Sequence, residues 1–294
     1  MICIRVFILL FSCAAKWKNL SENPAIAEAA DAEIFKEEKE MNNGLWSSVV
    51  DNAMFVLVSV GIAAALFLIA YFAEKYLKKK NEDEERILTT RKIAMIGVFS
   101  AIAAVLMLFE FPVPFAPSFY ELDFSEIPAL VGAFAFGPVA GVMIEFCKIL
   151  LKLFMKGTST AFVGDLANFV IGCSFILPAG IIYMFKKTKK NAIAASATGT
   201  LIMTVFGTMF NAIYLLPAFS KLYGMPLDTI VGMGTAINSS ITSVTSLVIF
   251  AVAPLNLLKG GSVSIVTMLT YKKLSPILKE GTIRQKKGAV ETVK

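Results

Sequence analysis

"SFYELDFSEIPALVGAFAFGP", residues 118–138, decides how the rest of the chain is read. Its second half is apolar enough for a buried helix and ends at Gly137-Pro138, a turn signal. Its first half carries Glu121, Asp123 and Glu126. Ionised side chains are expensive at membrane depth and mark functional positions there. The stretch reads as a lid and pocket wall at the outer face of a membrane protein.

Working outward, the composition agrees. Of 294 residues, 56% are hydrophobic and 17% charged, against about half and a quarter in a soluble domain. Ala53 to Ala73, Ile93 to Phe109 and Leu166 to Phe185 are runs without a charge. A hydrocarbon core of about 30 Å needs roughly 20 helical residues. The chain is therefore an all-α integral membrane protein. Helices are expected at about 91–109, 125–136 (short), 138–155, 165–185 and 192–216, the last closed by Pro217. Residues 236–271 are apolar but too long for one span, and Pro254 is the expected divider. That gives a Ser/Thr-rich helix at 235–250 in an outer region and a last helix at about 254–274. Three prolines keep the 110–125 loop from being regular helix.

The domain plan is a leader (1–48), an extra transmembrane helix (49–73), a charged linker (74–90), a six-helix membrane domain (91–275) and a basic tail (276–294). "MICIRVFILLFSCAA" resembles a secretory signal; the alternative is a true start at Met41. Segments 74–92, 186–191 and 272–294 together hold 18 Lys/Arg, whereas loops 110–125, 156–165 and 216–236 hold two. Basic residues favour the cytoplasmic side. This predicts a cytoplasmic C-terminus and gathers the Asp123 loop, "GTSTAFVG" and the 217–253 region at the outer face.

Several functions are excluded or disfavoured. There is no histidine, which removes His-ligated zinc, the Ser-His-Asp triad and HExxH proteolysis. Cys3, Cys13, Cys147 and Cys173 form no CxxC pair, so neither a metal site nor a disulfide framework is indicated. No Ser/Lys or carboxylate pair stands at a convincing catalytic spacing, so no enzyme is expected. The basic clusters flank helices, which argues against nucleic acid as a partner.

The remaining polar residues converge at one depth. Asn168 and Asn211 sit near the outer ends of their helices. Asn256 and Lys259 start the last one, three residues apart and on one face. An amide both donates and accepts hydrogen bonds, so paired asparagines suit a ring edge of alternating donors and acceptors, such as the pyrimidine edge of a flavin. Phe115, Phe119, Tyr120, Phe124 and Tyr214 supply flat apolar contacts. The plainer alternatives are that single asparagines tie helices together, at about 0.6 kcal/mol, and that Lys259 snorkels to the interface. Glu145 and Lys148 have the spacing of an internal ion pair. Asp123 is placed to cap the helix that follows it. Gly97, Ala101 and Ala104 form a small-residue stripe, suited either to internal packing or to docking a partner's helices.

The segments "ELDFSEIPALVGAFAFGPVAG", "LANFVIGCSFILP", "FNAIYLLPAFSKLYG" and "PLNLLKG" resemble, in order, the substrate-binding S components of energy-coupling factor (ECF) transporters, and among them the riboflavin-specific members. The resemblance spans about Arg91 to Lys279. It implies a six-helix S-component core, to which the first span is an addition, with vitamin bound under the first loop. It implies substrate contacts from Asn211, Asn256 and Lys259, and from Phe119, Glu121, Leu122, Asp123 and Asn168. Riboflavin is then transported ligand rather than cofactor. The chain has no P-loop; the resemblance implies a transmembrane coupling protein and two ATP-binding subunits as partners in a bacterial plasma membrane. In the implied mechanism the S component topples in the bilayer to release vitamin inside. The alternatives are an S component for another flat heterocyclic vitamin and a stand-alone secondary carrier. Clustering of the polar residues at one face disfavours the carrier, whose sites lie at mid-membrane.

Overall fold

The structure, a computed structural model, describes residues 53–82, 86–158, 160 and 162–271. The leader, the whole basic tail (276–294), the last residues of the 91–275 domain and the first residues of the 49–73 helix lie outside them. The described chain is helical apart from its loops and one two-stranded hairpin. Its helices are α1 (Ala53–Lys80), α2 (Thr90–Leu108), α3 (Glu126–Phe136), α4 (Pro138–Lys156), α5 (Val163–Phe185) and α6 (Lys189–Phe210). A π-helical turn, Asn211–Leu215, joins α6 to α7 (Leu216–Tyr223), and α8 (Leu227–Thr235) follows. The last helix, α9, is continuous over Val244–Tyr271 with a second π turn at Val248–Val252.

Among the described residues, five helical stretches are long and apolar enough to cross a membrane. α4 is not one of them, because Glu145, Lys148, Lys152 and Lys156 interrupt it; the first three are buried inside the fold. The burial of each span tells where it stands. The apolar window of α5 is 67% buried and that of the first span only 17%, so α5 is central and α1 peripheral. α5 packs chiefly on α6, and α2 on α4. Gly199 makes the first contact possible: a Cβ there would lie 2.8 Å from the Phe175 carbonyl oxygen. Phe99, Phe134, Ile144, Phe175, Ile176, Met203 and Val263 fill the core.

Three expectations about elements need correction. α1 runs through Lys80, so the linker is shorter than 74–90. Pro217 does not end its helix; Lys189–Lys221 is continuous. Nor does Pro254 divide two helices. Proline lacks an N–H and crowds the carbonyl four residues back. In both cases a π turn ends two residues before the proline, and the widened turn carries the helix past it. The 235–250 region holds the end of α8, a connecting stretch and the start of α9 rather than a separate outer helix.

Candidate functional site

The loop after α2 returns on itself as a hairpin, β1 (Phe111–Pro112) and β2 (Glu121–Leu122), with Phe111 opposite Leu122 and Pro112 opposite Glu121. This turns Tyr120 and Asp123 inward, where both are buried. Tyr120 Oη donates to Asn211 Oδ1 at 3.0 Å. Asn211 Nδ2 donates to the Gly207 carbonyl at 2.7 Å. Burial pushes the Tyr120 hydroxyl well above its usual range, so it stays a donor. Asp123 Oδ1 accepts from Ser125 N at 2.8 Å. It ties down the approach to α3, whose N-cap residue, Ser125, makes no side-chain cap bond.

Beneath the loop lies a buried ionic network. Lys259 Nζ reaches Asp123 Oδ2 and Glu126 Oε1, each at 2.9 Å. Lys148 Nζ reaches Ser125 Oγ at 2.8 Å, Glu126 Oε1 at 3.1 Å and Glu145 Oε2 at 2.8 Å. Three carboxylates thus share two ammonium groups. Burial alone would raise the Asp123 carboxyl, but Lys259, Lys148 and the Ser125 hydrogen bond outweigh it and hold it well below the usual carboxylate range. All three Lys148 donors are used. Lys259 keeps one N–H free of these two partners.

Two adjoining cavities open here, of about 150 and 440 Å³, sharing Phe119, Glu121, Gly164, Asn168 and Phe219 as walls. The smaller is lined by Asn211, Asn256, Lys259 and Glu126. The larger is lined by Glu110, Asp123, Lys152, Lys156 and Asp165. Their size suits a small organic ligand. Asn168 Oδ1, Asn256 Nδ2, Glu126 Oε2 and Asp165 Oδ2 are buried without a hydrogen-bond partner in the protein. Buried polar atoms in native proteins are nearly always paired; these four belong to residues that line the cavities, where a ligand or water can reach them. Gly207 lets Asn256 approach: a Cβ there would stand 2.6 Å from Asn256 Nδ2.

The structure therefore brings Asn168, Asn211, Asn256, Lys259, Phe119, Glu121 and Asp123 to one place. Leu122 is not among the lining residues of either cavity; it pairs with Phe111 in the hairpin. Of the small-residue stripe, Gly97 and Ala101 face outward, but Ala104 is buried in the protein's own core and is unavailable to a partner. Glu110, Lys152 and Asp165 were not candidates from the sequence. Asp165, three residues before Asn168, pairs with Lys152 at 2.6 Å. Helical spacing from Asn168 is the signal that would have found it. Among the described residues no cluster of metal-ligating side chains occurs.

A polar, ligand-sized site walled by membrane-spanning helices defines a multi-pass membrane protein that handles a small molecule. Residues 91–271 match the family "ECF transporter, substrate-specific component". The chain belongs to that family, a class of transporter components rather than enzymes. It is 37% identical over 190 residues to the riboflavin transporter RibU of Staphylococcus aureus (strain TCH60), covering 64% of this chain and 93% of that protein. It is 30% identical over 191 residues to the riboflavin transporter FmnP of Bacillus subtilis (strain 168), covering 65% and 95%. A solved S component of a bacterial ECF transporter superposes with a TM-score of 0.51 at 36% identity, over 64% of this chain and 98% of that one.

Proposed function

We propose that this chain is the riboflavin-binding membrane subunit of an ECF importer. It captures the vitamin at the outer face of a bacterial plasma membrane and delivers it inward with a transmembrane coupling protein and two ATP-binding subunits. The observation that carries this reading is the set of unpaired buried amide and carboxyl atoms lining the two cavities. A flavin ring edge alternates donors and acceptors, and its ribityl chain bears hydroxyl groups. Asn256 Nδ2 and the free Lys259 N–H donate; Asn168 Oδ1 and Glu126 Oε2 accept. Phe119 and Phe219 supply apolar walls. The naming of related chains as riboflavin transporters supports the flavin over other flat vitamins.

Asn211 acts through Tyr120: their hydrogen bond fastens the first loop to the helix wall, so the loop serves as the gate. Asp123 and Glu126 hold Lys259 in place. The bias of Lys and Arg toward one side supports an outward-facing site and a cytoplasmic C-terminus.

The test is an absorbance spectrum of protein purified from riboflavin-containing medium and washed in detergent, with fluorescence-quench titration. The wild type should retain a flavin band, and an Asn256→Ala variant, which leaves the buried ionic network whole, should lose it while keeping its fold. A colourless wild type that does not quench added riboflavin overturns the flavin assignment.

A further inference from the structure

α1 is fastened to the fold at one end only. Its buried residues, Ala70, Glu74, Leu77 and Lys78, all fall in the half that ends at Lys80. There Glu74 accepts from Val139 N at 3.0 Å, and Asn81, just past the helix, donates to the Met184 carbonyl at 3.2 Å. From Ser59 to Ile69 no residue is fully buried. Toward that end α1 stands off from α4 and α5, and the gap between them is a groove of about 330 Å³. Ala63, Ala64 and Phe67 line it from α1, Ile149 from α4, and Leu166 and Phe169 from α5. The rings of Phe67, Phe146 and Phe169 meet edge to face, at 5.7 and 5.9 Å, and close its inner end. Asp165, paired with Lys152 at 2.6 Å, faces both this groove and the larger polar cavity and forms the partition between them.

The dimensions of the groove select its occupant. Ser59 to Phe67 is eight residue steps, about 12 Å of helix, and one leaflet of a hydrocarbon core of about 30 Å is about 15 Å thick. Spread over that length, about 330 Å³ leaves a cross-section of about 28 Å², about a third of what a helix 10 Å across takes. The groove admits a single chain and is too narrow for a partner's helix. α1 and α5 are both long and apolar enough to cross a membrane, so the medium at its mouth is hydrocarbon. Apolar walls with no atoms between them forfeit dispersion contacts until the gap is filled. We propose that the groove is a lipid site. It holds one acyl chain of a phospholipid, wedged between the loose end of α1 and the α4–α5 wall, and that chain seals the lipid-facing flank of the polar cavity behind Asp165.

The test reconstitutes the full-length protein in vesicles of phosphatidylcholine and phosphatidylglycerol, doped with a phosphatidylcholine that carries a diazirine midway along one acyl chain. After irradiation the labelled peptides are mapped by mass spectrometry. Label should concentrate on residues 59–67, 146–153 and 162–169, above the level on the outward face of α2, which ordinary bilayer lipid reaches. Ala63→Phe fills the gap and should lower groove labelling severalfold while α2 labelling stays the same. Leu68→Phe adds bulk on the exposed face of α1 and should change neither. Helical content and monodisperse elution report that both variants fold. Even labelling of the groove and α2, or groove labelling that survives Ala63→Phe, reduces the contact to bulk lipid and overturns the proposal. A groove that takes no label is filled by protein, either a second copy or residues 1–48, and overturns it as well.

Discussion

Lys148 is wholly buried, and each of its three N–H groups has an oxygen to bond: Ser125, Glu126 and Glu145. Removing one member of such a network leaves charges buried without compensation, at a cost of about 3–5 kcal/mol. Lys148→Met should therefore lower the thermal midpoint of the detergent-solubilised protein far more than a surface Lys→Met change such as Lys190→Met. Equal midpoints would show the network to be dispensable. Asp123 makes a different prediction. Its folded carboxyl lies below the ordinary range, so its stabilising contribution is complete above the unfolded value of about 3.9 and lost only as pH falls through the lower folded value. Between pH 8 and 5 the Asp123–Lys259 clamp stays intact. Asp123→Asn should weaken riboflavin binding by a similar factor at both ends of that window; a penalty that vanishes at pH 5 would contradict the assignment. At this scale the sequence was half legible. Glu145 and Lys148 are three apart on one helix, and spacing alone pairs them. Lys259 and Asp123 are 136 residues apart, and no local pattern joins them.

Among the elements, α1 shows what periodicity could not tell. A charge-free run announced a span, yet its functional residue is the acid just after the run. Glu74 is fully buried, and its Oε2 accepts the backbone N–H of Val139 at 3.0 Å, in the first turn of α4. Gly137, at φ +111°, supplies the room: a Cβ there would lie 2.6 Å from the Glu74 carboxyl carbon. The carboxylate thus caps a neighbouring helix in place of its own N-cap side chain, since Gly137 has none. Asn81 Nδ2, donating to the Met184 carbonyl at 3.2 Å, fastens the same end of α1 to α5. Losing a cap costs about 0.5–2 kcal/mol. Glu74→Ala should lower the thermal midpoint modestly and leave riboflavin affinity unchanged, because Glu74 lines neither cavity of the site. A large affinity loss would mean that α1 shapes the site directly. The prolines taught the opposite lesson. Pro217 and Pro254 read as stops, and only the π turns before them, which have no composition signal, let both helices continue. Those turns matter to the site: Asn211 opens one, and Asn256 follows the other by four residues.

At the scale of the whole molecule the question is which face would meet the partner subunits proposed above, since the sequence carries no P-loop motif. The outward face of α2 presents Ile93, Gly97, Val98, Ala101, Ile102 and Val105, all exposed, and a Cβ on Gly97 would meet nothing within 4 Å. The opposite face, with Ile96, Phe99, Ala103, Ala104 and Met107, is packed into the core. One helix therefore separates an internal seam from a free seam, and close helix approach is available only where Gly97 and Ala101 leave the surface low. Ala101→Leu raises that surface without touching the cavities or the ionic network. We expect full riboflavin quenching by the purified variant, with uptake by whole cells and co-purification of the coupling subunit both sharply reduced. Ala104→Leu should behave differently, because Ala104 is 1% exposed: overpacking the core costs about 1–3 kcal/mol and shows as lost stability rather than lost docking. Uptake and complex formation that survive Ala101→Leu would move the docking face off α2.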